Sequence, residues 1–361
     1  MPTSSDGVGG LFLRKTGKIT RKMQEKIKEL IDGAQRIVVV QADNPDADSL
    51  GSALALEHIL EDLGKDVALY CGVDIPTYLR YFSGWDRVLN ELPSSFDLGI
   101  VVDASTYTLF EQLEKTRKLP VLKSRPTIVL DHHGSVERPL DFAAASIIEP
   151  TAASTGEIIF NLAKQNGWQV NKTAAEHIMS SILGDTQGLM NASTTANTYR
   201  VIADLTELGA DRPLLEELRR EYNRMTEGIF RYKGELIQRM EFAADNRIAH
   251  ITIPQDEINE YSPLYNPAVL VQFDSLQVSD VRLSIVFKTY DDGRITGKLR
   301  STLNSPVADK LAEHFGGGGH KHSAGFKVTD GRTFDEIKSD CLTFATELLN
   351  NLDKETLNEA L

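Results

Sequence analysis

Ile37-Val38-Val39-Val40-Gln41-Ala42-Asp43-Asn44-Pro45-Asp46-Ala47-Asp48-Ser49-Leu50-Gly51-Ser52 reads as a buried β-strand that stops abruptly and runs at once into a helix. The strand delivers three acidic residues to its carboxyl end. The helix carries Leu50, Leu54, Ile59 and Leu60 among the small Ala53 and Ala55. In an open α/β sheet, ligands sit just outside the carboxyl ends of the strands. Carboxylates gathered there repel one another and call for a cation or for protons. A single Asp before a helix is as well explained by capping, so the reading turns on what recurs downstream.

Three further short apolar runs follow. Asp66-Val67-Ala68-Leu69-Tyr70 is one, Leu98-Gly99-Ile100-Val101-Val102 ends on Asp103, and Thr127-Ile128-Val129-Leu130 ends on Asp131-His132-His133. Alternation with helical segments predicts a mostly parallel sheet covered on both faces, an α/β fold. A first amphipathic helix is expected over Gln24 to Ile31. Helices are expected over Thr155 to Gln165, Thr173 to Leu183 (ending at Gly184-Asp185) and Thr195 to Leu208. Another starts at Asp211-Arg212-Pro213, with Asp as cap and Pro in the first turn. Charged helical text continues to about Ala244. Strands are then expected over Arg247 to Ile253, Val269 to Phe273, Val281 to Phe287 and Ile295 to Ser301. A helix over Pro306 to His314, the run Gly316-Gly317-Gly318-Gly319-His320 and a closing helix over Phe334 to Leu349 complete the chain. The expected organisation is an N-terminal arm and helix (1–34, loose over Met1 to Lys18), a metal-binding domain (35–210), a helical linker (211–244), a smaller α/β domain (245–350) and a tail (351–361).

Composition narrows the function. Hydrophobic content of 41% and charged content of 25% are those of an ordinary soluble globular protein. No apolar run approaches the roughly 18 residues of a membrane span, and nothing near Met1 resembles a signal peptide. Cys71 and Cys341 form no metal or redox spacing, so the expectation is a cytoplasmic protein with no membrane partner. A net charge of −13 argues against capture of long duplex nucleic acid. A short anionic substrate is compatible with it, because acidic residues that hold cations count towards that charge.

Asp46 and Asp48, Asp103, and Asp131-His132-His133 therefore stand at strand ends, with Asp185 at the end of a helix. Carboxylates with imidazole and without thiolate suit Mn²⁺ or Mg²⁺ better than structural zinc. Two such ions about 3.5–4 Å apart activate a water and clamp a phosphate.

These residues carry a resemblance. Asn44-Pro45-Asp46-Ala47-Asp48-Ser49-Leu50-Gly51-Ser52, Val102-Asp103, Asp131-His132-His133 and Gly184-Asp185-Thr186-Gln187-Gly188 resemble the four successive motifs of the DHH phosphoesterase superfamily. Gly316 to Gly325, with its Gly-Gly-Gly-Gly-His and closing Ser-Ala-Gly, resembles the signature of the accompanying DHHA1 domain. The similar subgroup is the two-domain, RecJ-like type of bacterial oligoribonuclease and 3′-phosphoadenosine-5′-phosphate phosphatase, whose relatives cleave linear dinucleotides or cyclic di-AMP. The resemblance implies Asp46 and Asp103 as ligands of one metal. It implies Asp48, Asp103, His132 and Asp185 as ligands of the other, with Asp103 bridging and His133 facing the phosphate. It also implies that the second domain holds the nucleotide end through Arg300, Gly317, Gly318, Gly319 and His320. Side-chain-free backbone and a guanidinium fork both suit a phosphate. One departure stands out: Ala42 occupies the position of the family's metal-binding histidine, which predicts a weakened first site. Gln41, Asp43 and Asn44 carry oxygen nearby, although Gln41 and Asp43 should point away from Ala42 if the strand continues. Lys321 reads as a solvated charge, His322 as a loop residue, and His58, His177, His250 and His314 as residues of helices or strands.

The implied activity is metal-dependent hydrolysis of short nucleotides in the cleft between the domains, with two Mn²⁺ expected. A cyclic-dinucleotide phosphodiesterase is the alternative. A family II pyrophosphatase would carry a Ser-Arg-Lys signature instead of the glycine-His loop, and a long-strand exonuclease would need a further nucleic-acid-binding domain. A nucleotide-binding protein that has lost catalysis through Ala42 is the reading from another class. Apolar periodicity between Thr173 and Ala244 leaves a face on which two copies could pair as a homodimer.

Overall fold

The computed structural model describes residues 21–134, 138–262 and 265–359. The arm expected over Met1 to Lys18 lies outside them. The chain divides into two compact units, with the boundary between Arg224 and Met225.

The first unit contains α1 (Arg21–Gly33), β1 (Arg36–Gln41), α2 (Ala47–Asp62), β2 (Asp66–Cys71), β3 (Leu98–Val102), α3 (Glu111–Lys115), α4 (Leu119–Lys123), β4 (Thr127–Asp131) and β5 (Ala145–Ile148). It continues through α5 (Thr155–Asn166), α6 (Lys172–Asp185), α7 (Ala196–Glu207) and α8 (Arg212–Tyr222). The five strands are all parallel, in the order β2-β1-β3-β4-β5. Strand order reverses between β1 and β3, and a crevice at such a reversal is where α/β sheets bind ligands. Ile37, Val39, Leu69, Ile100, Val102, Ile128 and Leu130 face one core with α1, α2, α5 and α6. Val38, Val40, Val101 and Val129 face a second core, with Phe110 and Leu122. Both faces are thus covered, which is why these strands read as unbroken apolar runs.

α2 is buried nearly all round, so its packing depends on small residues. A Cβ on Gly51 would stand 2.7 Å from the backbone oxygen of His177, so only glycine lets α2 and α6 approach this closely.

The second unit contains α9 (Glu227–Gln238), β6 (Glu241–Ala243), β7 (Ile248–Ile253), α10 (Gln255–Tyr261), α11 (Pro267–Ser275), β8 (Leu283–Thr289), β9 (Ile295–Ser301), α12 (Ala308–His314), β10 (Gly318–His320), β11 (Ser323–Val328) and α13 (Phe334–Glu359). Its mixed sheet runs β10-β11-β9-β8-β7-β6, with β7 and β8 parallel and the other pairs antiparallel.

Several sequence expectations are corrected here. The run Val269 to Phe273 is not a strand but lies in α11. Asn266 caps that helix by accepting from the Ala268 N–H, with Pro267 in its first turn. Val269 and Phe273 are the exposed pair, four apart, while Leu270 and Val271 are buried, which is a helical period. The glycine run is not wholly loop, because Gly318–His320 pairs with Ser323–Gly325 as an edge hairpin. The closing helix runs past Leu349 to Glu359. The short strands β5, β6 and β10 carry no pattern long enough to read.

His177, on α6, is buried with its ring stacked 5.9 Å from Phe82 and 5.7 Å from His58, and Nε2 has no hydrogen-bond partner. Burial, then the charges of His58 and Arg87, pull its pKa down to about 3 from the ordinary 6.5. An unfolded chain takes up this proton as pH falls below 6.5, whereas the folded chain does not until about pH 3. Stability is therefore lost as pH falls through that window, with a slope of up to about 1.4 kcal/mol per pH unit from this residue. In urea unfolding of the whole chain, His177→Phe is expected to remove about 1–2 kcal/mol of the decline between about pH 6.5 and 4.5. An unchanged pH slope would show that His177 is not its source.

Candidate metal centre

The carboxyl ends of β1, β3 and β4 and the last residue of α6 bring Asp48, Asp103, His132 and Asp185 together. His132 Nε2 lies 2.9 Å from Asp185 Oδ2, 3.5 Å from Asp48 Oδ2 and 3.6 Å from Asp103 Oδ1. Two groups of three have ligand atoms within 4.8 Å of one another: Asp48, His132 and Asp185, and Asp103, His132 and His133.

Asp48 is wholly buried and holds four donors. Its Oδ1 accepts from Ser52 Oγ (3.0 Å), Ser181 Oγ (2.6 Å) and the Gly156 N–H (3.2 Å), and its Oδ2 accepts from the Thr155 N–H (2.7 Å). The last two are backbone amides of the first turn of α5, where the helix end favours negative charge. Glu157, buried beneath that turn, is held by Thr198 Oγ1 at 2.9 Å and Asn197 Nδ2 at 2.7 Å, which ties α5 to α7. Sequence reasoning missed these partners. The signal available was Ser154-Thr155-Gly156, a capping serine with a glycine two residues on.

Asp103 stands just past β3 with φ 56°, in the left-handed region that side-chain-bearing residues avoid. Its own N–H donates to Leu130 O at 2.9 Å, tying the end of β3 to β4, and its Oδ1 accepts from Thr155 Oγ1 at 3.2 Å. Strain of this kind persists where the surroundings over-determine a geometry.

Asp131 is buried and is not in either group. Its Oδ1 instead accepts from the His133 N–H at 3.0 Å and meets His133 Nδ1 at 2.7 Å. That bond fixes the orientation of the ring. Burial alone would raise the Asp131 pKa, but the hydrogen bond and charge of His133 outweigh it and hold the carboxyl below its ordinary range.

Asp46 is drawn off from the cluster. The sequence reads Asp46 as a ligand rather than a helix cap, and the structure corrects the second half of that reading, because Asp46 is the N-cap of α2. Its Oδ1 accepts from the Asp48 and Ser49 N–H groups, both at 3.0 Å. It still feels the cluster: burial, then Asp185 and Asp48, push its pKa up to about 7. Burial and the neighbouring Asp48, Asp46 and Asp185 raise Asp103 well above the carboxylate range, and burial raises Asp185 too. Asp185 also closes the C-terminus of α6, the end that disfavours negative charge. Around His132, burial is overcome by Asp185 and Asp48, which lift the imidazole to about 9.

Carboxylate oxygens with imidazole, no thiolate among them, and a His132 Nε2 with no aligned hydrogen bond fit a hard divalent cation. Ala42 is buried in the core with Val38 and Val40, and Gln41 is buried with its side-chain amide making no hydrogen bond. Asp43 turns to the start of α3 and accepts from the Gln112 N–H at 2.8 Å.

In the second unit, the strand register sets Arg300, Ser323 and His320 in one row across β9, β11 and β10. Gly317 is packed, since a Cβ there would lie 2.2 Å from Gly325 O, and Gly319 meets Ala324 Cα at 2.6 Å; Gly318 faces open space. His322 sits in the hairpin turn with Nδ1 3.1 Å from Thr302 O.

Residues 36–182 match the DHH family, N-terminal domain. The Bifunctional oligoribonuclease and PAP phosphatase NrnA of Bacillus subtilis is 24% identical over 332 residues, covering 90% of this chain and 99% of that protein. The Cyclic-di-AMP phosphodiesterase GdpP of Geobacillus thermodenitrificans is 24% identical over 337 residues, 88% of this chain but 48% of that one. Among solved structures, an exopolyphosphatase-related protein from Bacteroides fragilis superposes with a TM-score of 0.80 at 24% identity, covering 93% of this chain and 100% of that one. That likeness is one of fold.

Asp48→Asn would turn an amide N–H₂ against groups that are themselves donors. It is expected to lower the urea-unfolding free energy of the metal-free chain by about 2–4 kcal/mol. Asp185→Asn, which breaks no bond to a backbone amide, should cost less than half as much. Equal losses would show that the α5 amides do not anchor Asp48.

Proposed function

We propose that this DHH-family chain is a metal-dependent phosphoesterase that hydrolyses short nucleotides: oligoribonucleotides, dinucleotides or 3′-phosphoadenosine-5′-phosphate. The observation that carries the reading is the convergence of Asp48, Asp103 and Asp185 on His132, buried and mutually repelling, at the crevice of a parallel sheet. The NrnA relative, aligned over nearly its whole length, supports the substrate class. A cyclic dinucleotide is the second reading, favoured by the GdpP relative. No helix among the described residues is long and apolar enough to cross a membrane.

Asp48, Asp103, His132 and Asp185 would hold one divalent cation, and Asp46 with Asp103 a second; Mn²⁺ is the expected ion and Mg²⁺ the alternative. When bound, such ions acidify water and neutralise phosphate charge. This chain's own groups do the rest. The α5 amides and two serine hydroxyls hold Asp48 in place. Asp131 orients His133 so that its Nε2 can hydrogen-bond a phosphoryl oxygen and pass a proton to the leaving alkoxide. Arg300, His320 and the open backbone at Gly318 support a nucleotide-binding role for the second unit.

Incubated with Mn²⁺ and a panel of dinucleotides, 3′-phosphoadenosine-5′-phosphate and cyclic di-AMP, the wild-type chain is expected to release mononucleotides. Asp103→Ala should lose at least about a thousandfold in kcat/KM, roughly 4 kcal/mol. Turnover no higher than that of the variant on every substrate would favour a nucleotide-binding protein.

Ala42 offers no lone pair, and Asp46 already spends one oxygen on α2. Calorimetric titration with Mn²⁺ should therefore resolve two classes of site at least tenfold apart in affinity, and Ala42→His should narrow the gap. Two equally tight ions in the wild-type chain would refute a weakened site.

A further inference from the structure

Resting on the proposed nucleotide substrate, a second feature of the β9 face bears on which nucleotides are taken. β9 alternates strictly: Ile295, Gly297, Leu299 and Ser301 are buried, while Thr296, Lys298 and Arg300 face the other way. The register places Lys298 opposite Val286 on β8 and Gly325 on β11, and Thr296 opposite Lys288 and Lys327. Cross-strand partners share a face, so Arg300, Lys298, Lys288 and Lys327 stand on one side of the sheet. Successive same-face positions on a strand are about 7 Å apart. Among the described residues none of these four cations enters an ion pair, and the residues of β7 to β11 that share the face include no carboxylate.

Two ordinary explanations fail. Lysines often guard exposed sheet edges, but β8 and β9 are interior strands of the order β10-β11-β9-β8-β7-β6. A merely solvated face in a chain of net charge −13 would carry carboxylates among its cations. The lysines are also held in a setting that disfavours their charge. Burial, then Lys298, pull the Lys288 pKa down to about 8, and burial, then Arg300, pull Lys298 down. Each ammonium feels the charge of another cation, and among the described residues neither is paired with a carboxylate. Phe273, 48% exposed, lies with its ring centre 5.3 Å from the Arg300 guanidinium carbon, an apolar platform beside the strip.

We infer that Lys298 and Lys288 form a second anion subsite, which takes a phosphoryl group additional to the one at Arg300. The favoured ligands are then short nucleotides with two phosphoryl groups, and a nucleoside monophosphate fills the strip only in part. Unpaired cations kept close together at a cost in stability are what a preformed phosphate site requires.

The test is equilibrium binding to the full chain in EDTA, which excludes turnover. The probes are adenosine 5′-monophosphate and adenosine 3′,5′-bisphosphate. The wild type is expected to bind the bisphosphate at least tenfold more tightly. Lys288→Gln/Lys298→Gln should bring that ratio below threefold while monophosphate affinity stays within twofold, and its dependence on salt should fall. The same variant should melt at the same temperature or higher, because it relieves repulsion; a lower melting temperature with the ratio intact would mark the lysines as structural and overturn the subsite. So would a wild-type chain that hydrolyses dinucleotides yet shows no preference for the bisphosphate. A wild-type chain that binds neither probe and hydrolyses nothing overturns the parent reading and the subsite together.

Discussion

The first unit depends on satisfying one carboxyl group where water cannot reach it. Asp48 has no exposure, and a polar group left there without hydrogen-bond partners would carry a large desolvation cost. Four donors prevent that: two serine hydroxyls from α2 and α6 and two amides from α5. Beside it, burial and then the neighbouring carboxylates push Asp103 and Asp185 towards protonation. A cation would resolve the conflict, and His132, facing all three, resolves part of it with its own proton.

Much of this was legible in the residues. β1, β3 and β4 are buried on both faces, so their apolar runs announced themselves, and acids following such runs had to share an edge. The α2 start was legible too, but not that Asp46 caps it, because a cap and a ligand look the same in sequence. What stayed hidden was whatever depends on distance along the chain. Asp48 meets Thr155 across 107 positions and Ser181 across 133, and no local pattern records such pairs. The helix over Val269 to Phe273 was misread for the opposite reason. Five residues rich in β-branched and aromatic types resemble a strand, and the decision lay outside them, in the Asn266-Pro267 start.

The second unit shows the same division. The alternation of β9 was readable, and with it the outward direction of Arg300. That Lys288 stands beside Lys298 follows only from pairing β8 with β9 in a particular register, which sets Lys288 against Thr296. A shift of one residue would turn Lys298 into the apolar core, so the buried Leu283, Ile285, Phe287 and Leu299 hold the cations in place.

The two α5 amides that hold Asp48 belong to the main chain. A side-chain replacement at residue 155 leaves an amide hydrogen where it was, unless the new residue is proline or disturbs the turn, whereas a Cβ on Gly156 would stand 2.2 Å from Ser181 Oγ, so that position stays glycine. Over evolutionary time the Thr155 amide is therefore shielded from most single-nucleotide changes, whereas the hydroxyls of Ser52 and Ser181 are not. Drift in descendants of this chain should accumulate first on the serine side of Asp48, with the helix side changing last.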